Sequence, residues 1–417
     1  MNKNHLILVA LCLSVSITAR SEDAPLSLSN AVELAATQSA EVRASQAQID
    51  AADAAVVPAG QLPDPELVVG IEELPVTGDL AYSLTRDDFT MRKVGVMQSF
   101  PRRFKRELRT QRATDEAQLT RAQAEQAELE VMRQAAQSWI GAYFAQETAR
   151  RLLGLVPVLE LQTRIATAGV ASGRLTTTDA FAAQVALVEF RDRVRVAKQS
   201  ARRARLDLAR WLPADAERPL GTPPSFESLP IAAAQLQTNV HHHASLIAYD
   251  RRIDAARTDV ALAQADKHPD WSVELDYSNR GKPFSDMVTL EFRVGLPLFA
   301  GKRQDPLIAA KRAQLRKIES DRETELRMHS AEVSQQLTDW ESLKERVKTY
   351  ETELVPLAHT RAQAALSAFQ SAQSTIKPVL DARAAEIDAQ VQALDLRGQL
   401  GRAWAFLSYL QYPRSSP

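Results

Sequence analysis

"WSVELDYSN" (Trp271–Asn279) and "MVTLEFRVGL" (Met287–Leu296) are the stretches on which the fold turns. In the first, Trp271, Val273, Leu275 and Tyr277 fall on one face, and Ser272, Glu274, Asp276 and Ser278 on the other. In the second, Val288, Leu290, Phe292, Val294 and Leu296 alternate with Thr289, Glu291, Arg293 and Gly295. Successive strand side chains point to opposite faces, so both stretches read as strands with one apolar and one charged face. Such strands, about 9–11 residues long, fit a membrane β-barrel. They also fit a half-buried antiparallel sheet packed on helices, and taken alone they favour that simpler reading.

The neighbouring segments shift the balance. A corresponding strand pair is predicted at 66–74 and 89–100, with poorer alternation around Lys93–Val94 and Val96–Met97. Pro101 and Pro297 end the second strand of each pair, where a missing N–H does no harm. Beyond them the pattern is helical from about Arg102 to Ala168 and again from about Lys302 to Phe369. Each run is on the order of 100 Å long at 1.5 Å per residue. Four strands cannot close a barrel, and an open sheet would leave edges that no other amphipathic element is free to cover. Several chains that each contribute four strands would remove the edges, and three chains would supply twelve.

The chain repeats its own plan. Leu155-Val156-Pro157 aligns with Leu354-Val355-Pro356, Ile49-Asp50-Ala51-Ala52 with Ile253-Asp254-Ala255-Ala256, and Pro101 with Pro297, in one order. The organisation expected is a first repeat over 22–212, a Pro-rich linker over 213–230, a second repeat over 231–412 and a tail at 413–417. Val42, Ile49 and Val56, and their partners Leu246, Ile253 and Val260, are spaced by seven, the period of a coiled-coil seam. A proline costs a helix interior about 3 kcal/mol. Pro157 and Pro356 are therefore expected as equivalent kinks above each turn-back.

Composition narrows the function. The 417 residues carry a formal net charge of -1, which gives no argument for nucleic-acid binding. Lys3 followed by an apolar run from Leu6 to Ile17 reads as an export signal over 1–21, cleaved after Ala19 or Ser21. The only cysteine, Cys12, lies within it, and Leu11 before it is too bulky for a lipidation site. Disulfides and thiolate metal sites are thereby excluded from the exported chain. No later segment approaches about 18 continuous apolar residues.

With the order helix, strand pair, long helix and return helix, all duplicated, the chain resembles the TolC-like family of outer-membrane efflux channels. The most specific local match is at the turn-backs. "VASGRLTTTDAFAAQ" (Val170–Gln184) is similar to the family's Gly-x5-Asp tip, with Gly173 and Asp179. "FQSAQSTIKPVLDAR" (Phe369–Arg383) keeps Val379-Leu380-Asp381-Ala382 of the second tip, but has Ala372 for the glycine and Pro378 for the first aspartate. "LPDPEL" (Leu62–Leu67) and "GLPLFAGKRQ" (Gly295–Gln304) resemble the branch serving cobalt–zinc–cadmium efflux pumps.

The resemblance implies a homotrimer whose twelve-stranded β-barrel lies in the outer membrane and continues into a coiled-coil α-helical tunnel across the periplasm. It implies that Trp271, Val273, Leu275, Tyr277, Val288, Leu290, Phe292 and Val294 face outer-membrane lipid, and that loops 75–88 and 279–286 face outside. Tip residues Gly173, Arg174, Leu175, Thr176, Ala372, Gln373 and Ser374 would meet a periplasmic adaptor (membrane fusion) protein, which joins the channel to an inner-membrane resistance-nodulation-division transporter. Energy coupling would belong to that transporter, since this chain has no phosphate loop. No catalytic constellation, cofactor site or nucleic-acid partner is expected.

Three side-chain groups have two readings each. Asp381 would ring the periplasmic gate and favour cations, or pair with nearby Arg383 on a helix surface. His241, His242 and His243 invite a metal site, but three consecutive residues cannot converge, and solvated residues entering a helix are expected instead. Arg102, Arg103, Lys105 and Arg106 would hold anionic lipid headgroups or form a solvated helix start. A drug-efflux or type I secretion channel of the same fold is the nearest rival function, and a soluble periplasmic coiled-coil scaffold the rival of a different class.

Overall fold

The computed structural model describes residues 24–411, so the expected leader, Cys12 and the tail at 413–417 lie outside the described residues. The first half runs α1 (Leu28–Gln38), α2 (Ala40–Ala59), β1 (Glu66–Glu72), β2 (Met91–Phe100), α3 (Arg103–Ala171) and α4 (Thr177–Trp211). The second runs α5 (Ala233–Thr238), α6 (Ala244–Ala265), β3 (Trp271–Asn279), β4 (Met287–Val294), α7 (Gln304–Thr349), α8 (Val355–Gln370) and α9 (Lys377–Ser408). The strands begin and end within two residues of the alternating segments, and the same order of elements occurs twice.

α3 has 69 residues, about 100 Å of helix. Seven of its eighteen buried positions are alanines, which let a neighbouring helix approach closely; Ala135, Ala136, Ala142 and Ala166 are examples. On α4 the buried stripe is Ala180, Ala183, Leu187, Phe190, Val194 and Ala197, alternately three and four residues apart. That spacing keeps one seam against one partner over the whole contact. The seam read from α2 and α6 faces inward too, fully so at Leu246 and Ile253.

The two prolines are not equivalent, contrary to expectation. Pro157 lies inside uninterrupted α-helix. Pro356 sits in the first turn of α8, directly after a π-helical turn at Tyr350–Leu354 that joins α7 to α8. A π turn inserts one extra residue and re-registers the hydrogen bonds that a proline interrupts. Only the second hairpin uses that solution.

The core sits where the hairpins and the chain's irregular segments meet. Trp139, Ile140, Leu208, Leu236, Leu396 and Leu407 are fully enclosed there. Three indoles tie loops to helices: Trp139 donates to the Leu26 carbonyl at 2.9 Å, Trp340 to Phe226 at 2.9 Å and Trp404 to Ser228 at 2.8 Å. Leu26 also bridges Leu220 in parallel. The stretch expected as a linker is thus a packed strap with Ala216 and Phe226 buried. Its prolines mark irregular backbone whose apolar side chains still enter the core.

The strands form one antiparallel sheet in the order β1-β2-β3-β4. Leu67 pairs with Val96, Val94 with Tyr277, Val96 with Leu275, and Leu275 with Leu290. The join between β2 and β3 connects the two halves. β1 and β4 each have a strand partner on one side only among the described residues.

Candidate functional site

The sheet is built inside out. Leu67, Val69, Ile71, Val94, Val96, Leu275, Tyr277, Val288, Leu290, Phe292 and Val294 are exposed, Val288 to 70%, whereas Glu274 and Asp276 on the opposite face are 2% exposed. Trp271 is exposed beside them and Val273 half-buried. The register explains this order: most residues of the apolar face pair with one another, as Val69 with Val94, Val96 with Leu275 and Leu275 with Leu290, with Arg92 opposite Ile71 and Gln98 opposite Val273 as exceptions, so a slip by one residue would turn the charged face outward. β2 keeps the poorer alternation expected of it: Lys93, Gly95 and Met97 lie on the charged face, while Arg92 and Gln98 share the other face with Val94, Val96 and Phe100. Aromatic side chains stand at both ends of the apolar band, with Phe100 stacked on Trp271 at 4.3 Å at one end and Tyr277 at the other. An apolar band with aromatic ends suits lipid.

The charged face closes on itself. Lys93 Nζ lies 2.8 Å from Glu274, 3.0 Å from Asp276 and 3.1 Å from Glu72. Arg293 reaches Glu274 at 2.5 Å and Glu291 at 2.7 Å. Buried carboxylates are tolerated only with such partners. Gly95 makes room for the cluster, because a Cβ there would come within 2.7 Å of the Leu275 carbonyl and collide with the Asp276 carboxylate. The sequence showed the charged face; the network joining Lys93 to β3 was not legible, since its members are far apart in the chain.

At the other pole, each hairpin turns by the same device. Gly173 donates to the Val170 carbonyl at 3.0 Å and Arg174 to Gly169 at 2.8 Å; Ala372 donates to Phe369 at 3.1 Å and Gln373 to Ala368 at 2.9 Å. These are paired Schellman bonds ending α3 and α8, with φ of 72° at Gly173 and 59° at Ala372. The return helices differ. Thr176 caps α4 in a reciprocal box with Asp179, whereas Ile376 before α9 has no side-chain cap. Hydrogen bonds from the Thr176 hydroxyl and backbone hold the Asp179 carboxyl below its ordinary range. Asp179 is therefore a capping residue, a role that Thr-x-x-Asp could have signalled from sequence. Gly173, Arg174, Thr176, Ala372 and Gln373 are exposed, Leu175 and Ser374 half-buried. Leu175, Phe369 and Leu380 pack around buried Ala166, Ala183 and Ile376, so the two tips touch.

Asp381 is exposed near the second tip, and its partner is Lys377 at 3.0 Å rather than Arg383. Arg383 instead reaches Glu386 at 2.5 Å, which also meets His359 at 2.7 Å. The helical period decides this, since i and i+4 share a face while Asp381 and Arg383 do not.

The three histidines divide. His241 and His242 lie in an exposed turn, but His243 is buried at the start of α6, its Nδ1 2.6 Å from Nε2 of His329. Burial first, then the neighbouring histidines, push His243 down to about 4, so it is neutral at physiological pH. Among the described residues no group of three or more His, Cys, Asp or Glu could hold a metal. The basic cluster is also spoken for. Lys105 is buried on the His268 carbonyl and Asp270, Arg102 binds the Pro269 carbonyl, and Arg106 the Gly60 carbonyl. Arg102 stays exposed despite that bond, and Arg103 lies in solvent beside Glu107.

No described helix is long and apolar enough to cross a membrane. Residues 236–410 match the family model described as outer membrane efflux protein. No curated protein sequence matches the chain. Among solved structures, the fold is similar to CusC, described in terms of transmembrane channel formation, with TM-score 0.78 and 14% identity over 94% of each chain. It is similar to the outer membrane protein VceC of Vibrio cholerae, with TM-score 0.69 and 20% identity over 91% of this chain and 96% of that one. It is also similar to the CmeC outer membrane channel of Campylobacter jejuni, with TM-score 0.77 and 12% identity over 94% and 87%. The chain therefore has the fold of these channels.

Proposed function

We propose that the whole chain belongs to the outer membrane efflux protein family and is one of three identical subunits of an outer-membrane efflux channel. The observation that carries this reading is the inside-out sheet: apolar side chains outward, paired charges inward, and, among the described residues, one free edge on each of β1 and β4. Three copies would join edge to edge as twelve strands, with Leu275, Tyr277, Val288, Leu290, Phe292, Val294, Trp271 and Val273 toward lipid. The helical hairpins would continue the wall into the periplasm as a tunnel. Residues Gly173–Thr176 and Ala372–Ser374 would contact a periplasmic adaptor, itself bound to an inner-membrane resistance-nodulation-division transporter. The channel is a passive conduit.

The cargo we infer is heavy-metal cations, on the strength of "LPDPEL" and "GLPLFAGKRQ". A drug-efflux or type I secretion channel of the same fold is the competing reading. Membrane fractionation tests the channel itself. The protein should require detergent and run as a trimer that heat converts to monomer. A monomer that stays in aqueous buffer would refute the channel and leave a periplasmic scaffold. Loss of the gene should lower tolerance to zinc, cobalt or cadmium; lowered tolerance to drugs alone would replace the cargo.

A further inference from the structure

The stretches that leave the sheet toward the helices differ in charge from the loops at its other end. Segments 101–103 and 295–303 hold four cations, Arg102, Arg103, Lys302 and Arg303, and no acid, whereas loops 75–88 and 279–286 hold four acids and three cations. Lys105 and Arg106 are held by the chain itself, but all four of those cations are exposed. The nearby acids have other partners: Asp270 takes Lys105 at 2.9 Å, Glu107 takes Arg103 at 2.8 Å and Asp305 takes Lys267. Asp64 and Glu66 lie at the start of β1, the edge of the sheet farthest from β4. Among the described residues no carboxylate lies within ion-pairing distance of the Arg102, Lys302 or Arg303 side chain.

Between β4 and Lys302 the apolar band runs on. Leu296, Leu298 and Phe299 are 67%, 75% and 68% exposed, although β4 ends at Val294. The chain then folds back: the Lys302 and Arg303 amides donate to the Phe299 carbonyl at 3.0 and 3.1 Å, so both cations stand within one turn of that ring. Asp270 ties the two stretches together. Its carbonyl accepts the Gly295 N–H at 3.1 Å, and its carboxylate accepts the Arg102 N–H at 3.1 Å. Next to Asp270 in the chain, Trp271 stacks on Phe100 at 4.3 Å and marks the end of the band. Tryptophan favours the level of lipid headgroups, and a lysine or arginine just past that level is attracted to anionic lipid.

We propose that this rim is a site for an anionic phospholipid of the leaflet on the helical side of the membrane. Its phosphate lies on Arg102, Lys302 and Arg303, and its acyl chains run along Leu296, Leu298 and Phe299. Charge makes the choice of lipid. A zwitterionic headgroup brings a cation of its own, which a rim of unpaired cations repels, whereas phosphatidylglycerol brings negative charge alone. Arg103 contributes less, because Glu107 offsets it. This inference rests on the reading of the sheet as embedded in a membrane, and it adds which lipid the wall holds and where. It gives Gly295–Arg303 a role at the membrane that is independent of cargo.

Native mass spectrometry of the detergent-solubilised trimer tests it, with phosphatidylglycerol, phosphatidylcholine and inorganic phosphate as separate probes. Phosphatidylglycerol should bind about tenfold tighter than phosphatidylcholine, or better, and inorganic phosphate should not displace it. A Lys or Arg at an anionic surface is worth about fivefold in binding, so Lys302→Gln combined with Arg303→Gln should weaken phosphatidylglycerol about 25-fold and leave phosphatidylcholine unchanged. Arg361→Gln, which removes an exposed cation on α8, should change neither. Equal retention of the two lipids by an intact trimer, or displacement by inorganic phosphate, would overturn the site and leave the channel standing. So would unchanged lipid binding in the double variant; a lower trimer-dissociation temperature there would assign the two cations to the neighbouring chain. A monomer that dissolves without detergent would overturn the membrane reading, and the site with it.

Discussion

Replacing Ala372 by glycine should stabilise the second hairpin, and replacing Gly173 by alanine should weaken the first. Both residues occupy the left-handed position of a Schellman turn, with φ of 59° and 72°. The left-handed region costs a residue with a Cβ roughly 1–2 kcal/mol, and a glycine none. Against this, a glycine gives the open chain about 0.4–1 kcal/mol of extra freedom. The difference leaves Ala372→Gly more stable by about 0.5–1 kcal/mol and Gly173→Ala less stable by a similar amount. Crowding does not enter at the first tip, since a Cβ on Gly173 would meet nothing within 4 Å. The readout is hydrogen exchange at the turn amides, those of Gln373 and Ala372 in one variant and of Arg174 and Gly173 in the other. About 1 kcal/mol corresponds to roughly a fivefold change in protection. Faster exchange in Ala372→Gly, or no change in Gly173→Ala, would show that the backbone conformation at these tips is not what limits their opening.

Three further outcomes are expected. Lys93→Met leaves Asp276 buried without its cation and Glu274 with Arg293 alone; breaking such a cluster costs about 3–5 kcal/mol, read as a lower temperature for converting trimer to monomer. An unchanged temperature would mean that water solvates the carboxylates. His243 is held neutral down to about 4, whereas the unfolded chain takes up the proton near 6.5, so folded stability should fall as pH drops through that interval and level off below it. His243→Gln should flatten the slope in thermal melts of detergent-solubilised protein, and an identical slope would assign it to other groups. In planar bilayers Asp381→Asn should lower cation selectivity and Lys377→Gln should raise it, because the two charges offset each other at 3.0 Å. If neither variant moves the reversal potential, the pair lies away from the ion path.

The apolar–polar alternation of 271–279 and 287–296 was enough to give strands, and the seven-residue spacing and sheer length of the helical runs to give long hairpins, because both signals are local and periodic. Gly173 marked its turn because a left-handed residue favours glycine. Ala372 could be placed only by alignment with it, since alanine carries no such mark. Local pattern could not say which charge meets which. Asp381 takes Lys377 and leaves Arg383 to Glu386, Lys93 reaches across to β3, and His243 is enclosed by a helix 86 residues away in the chain. Nor could it distinguish Pro157, carried within continuous helix, from Pro356, which follows a π turn, or foresee that the Pro-rich stretch after Trp211 packs into the core. The sequence by itself determined the kinds of element, their order and which strand face is apolar, since each depends on neighbours a few residues away. Only the tertiary structure decided the ion pairs and the burial of single side chains, since these depend on which distant surfaces come together.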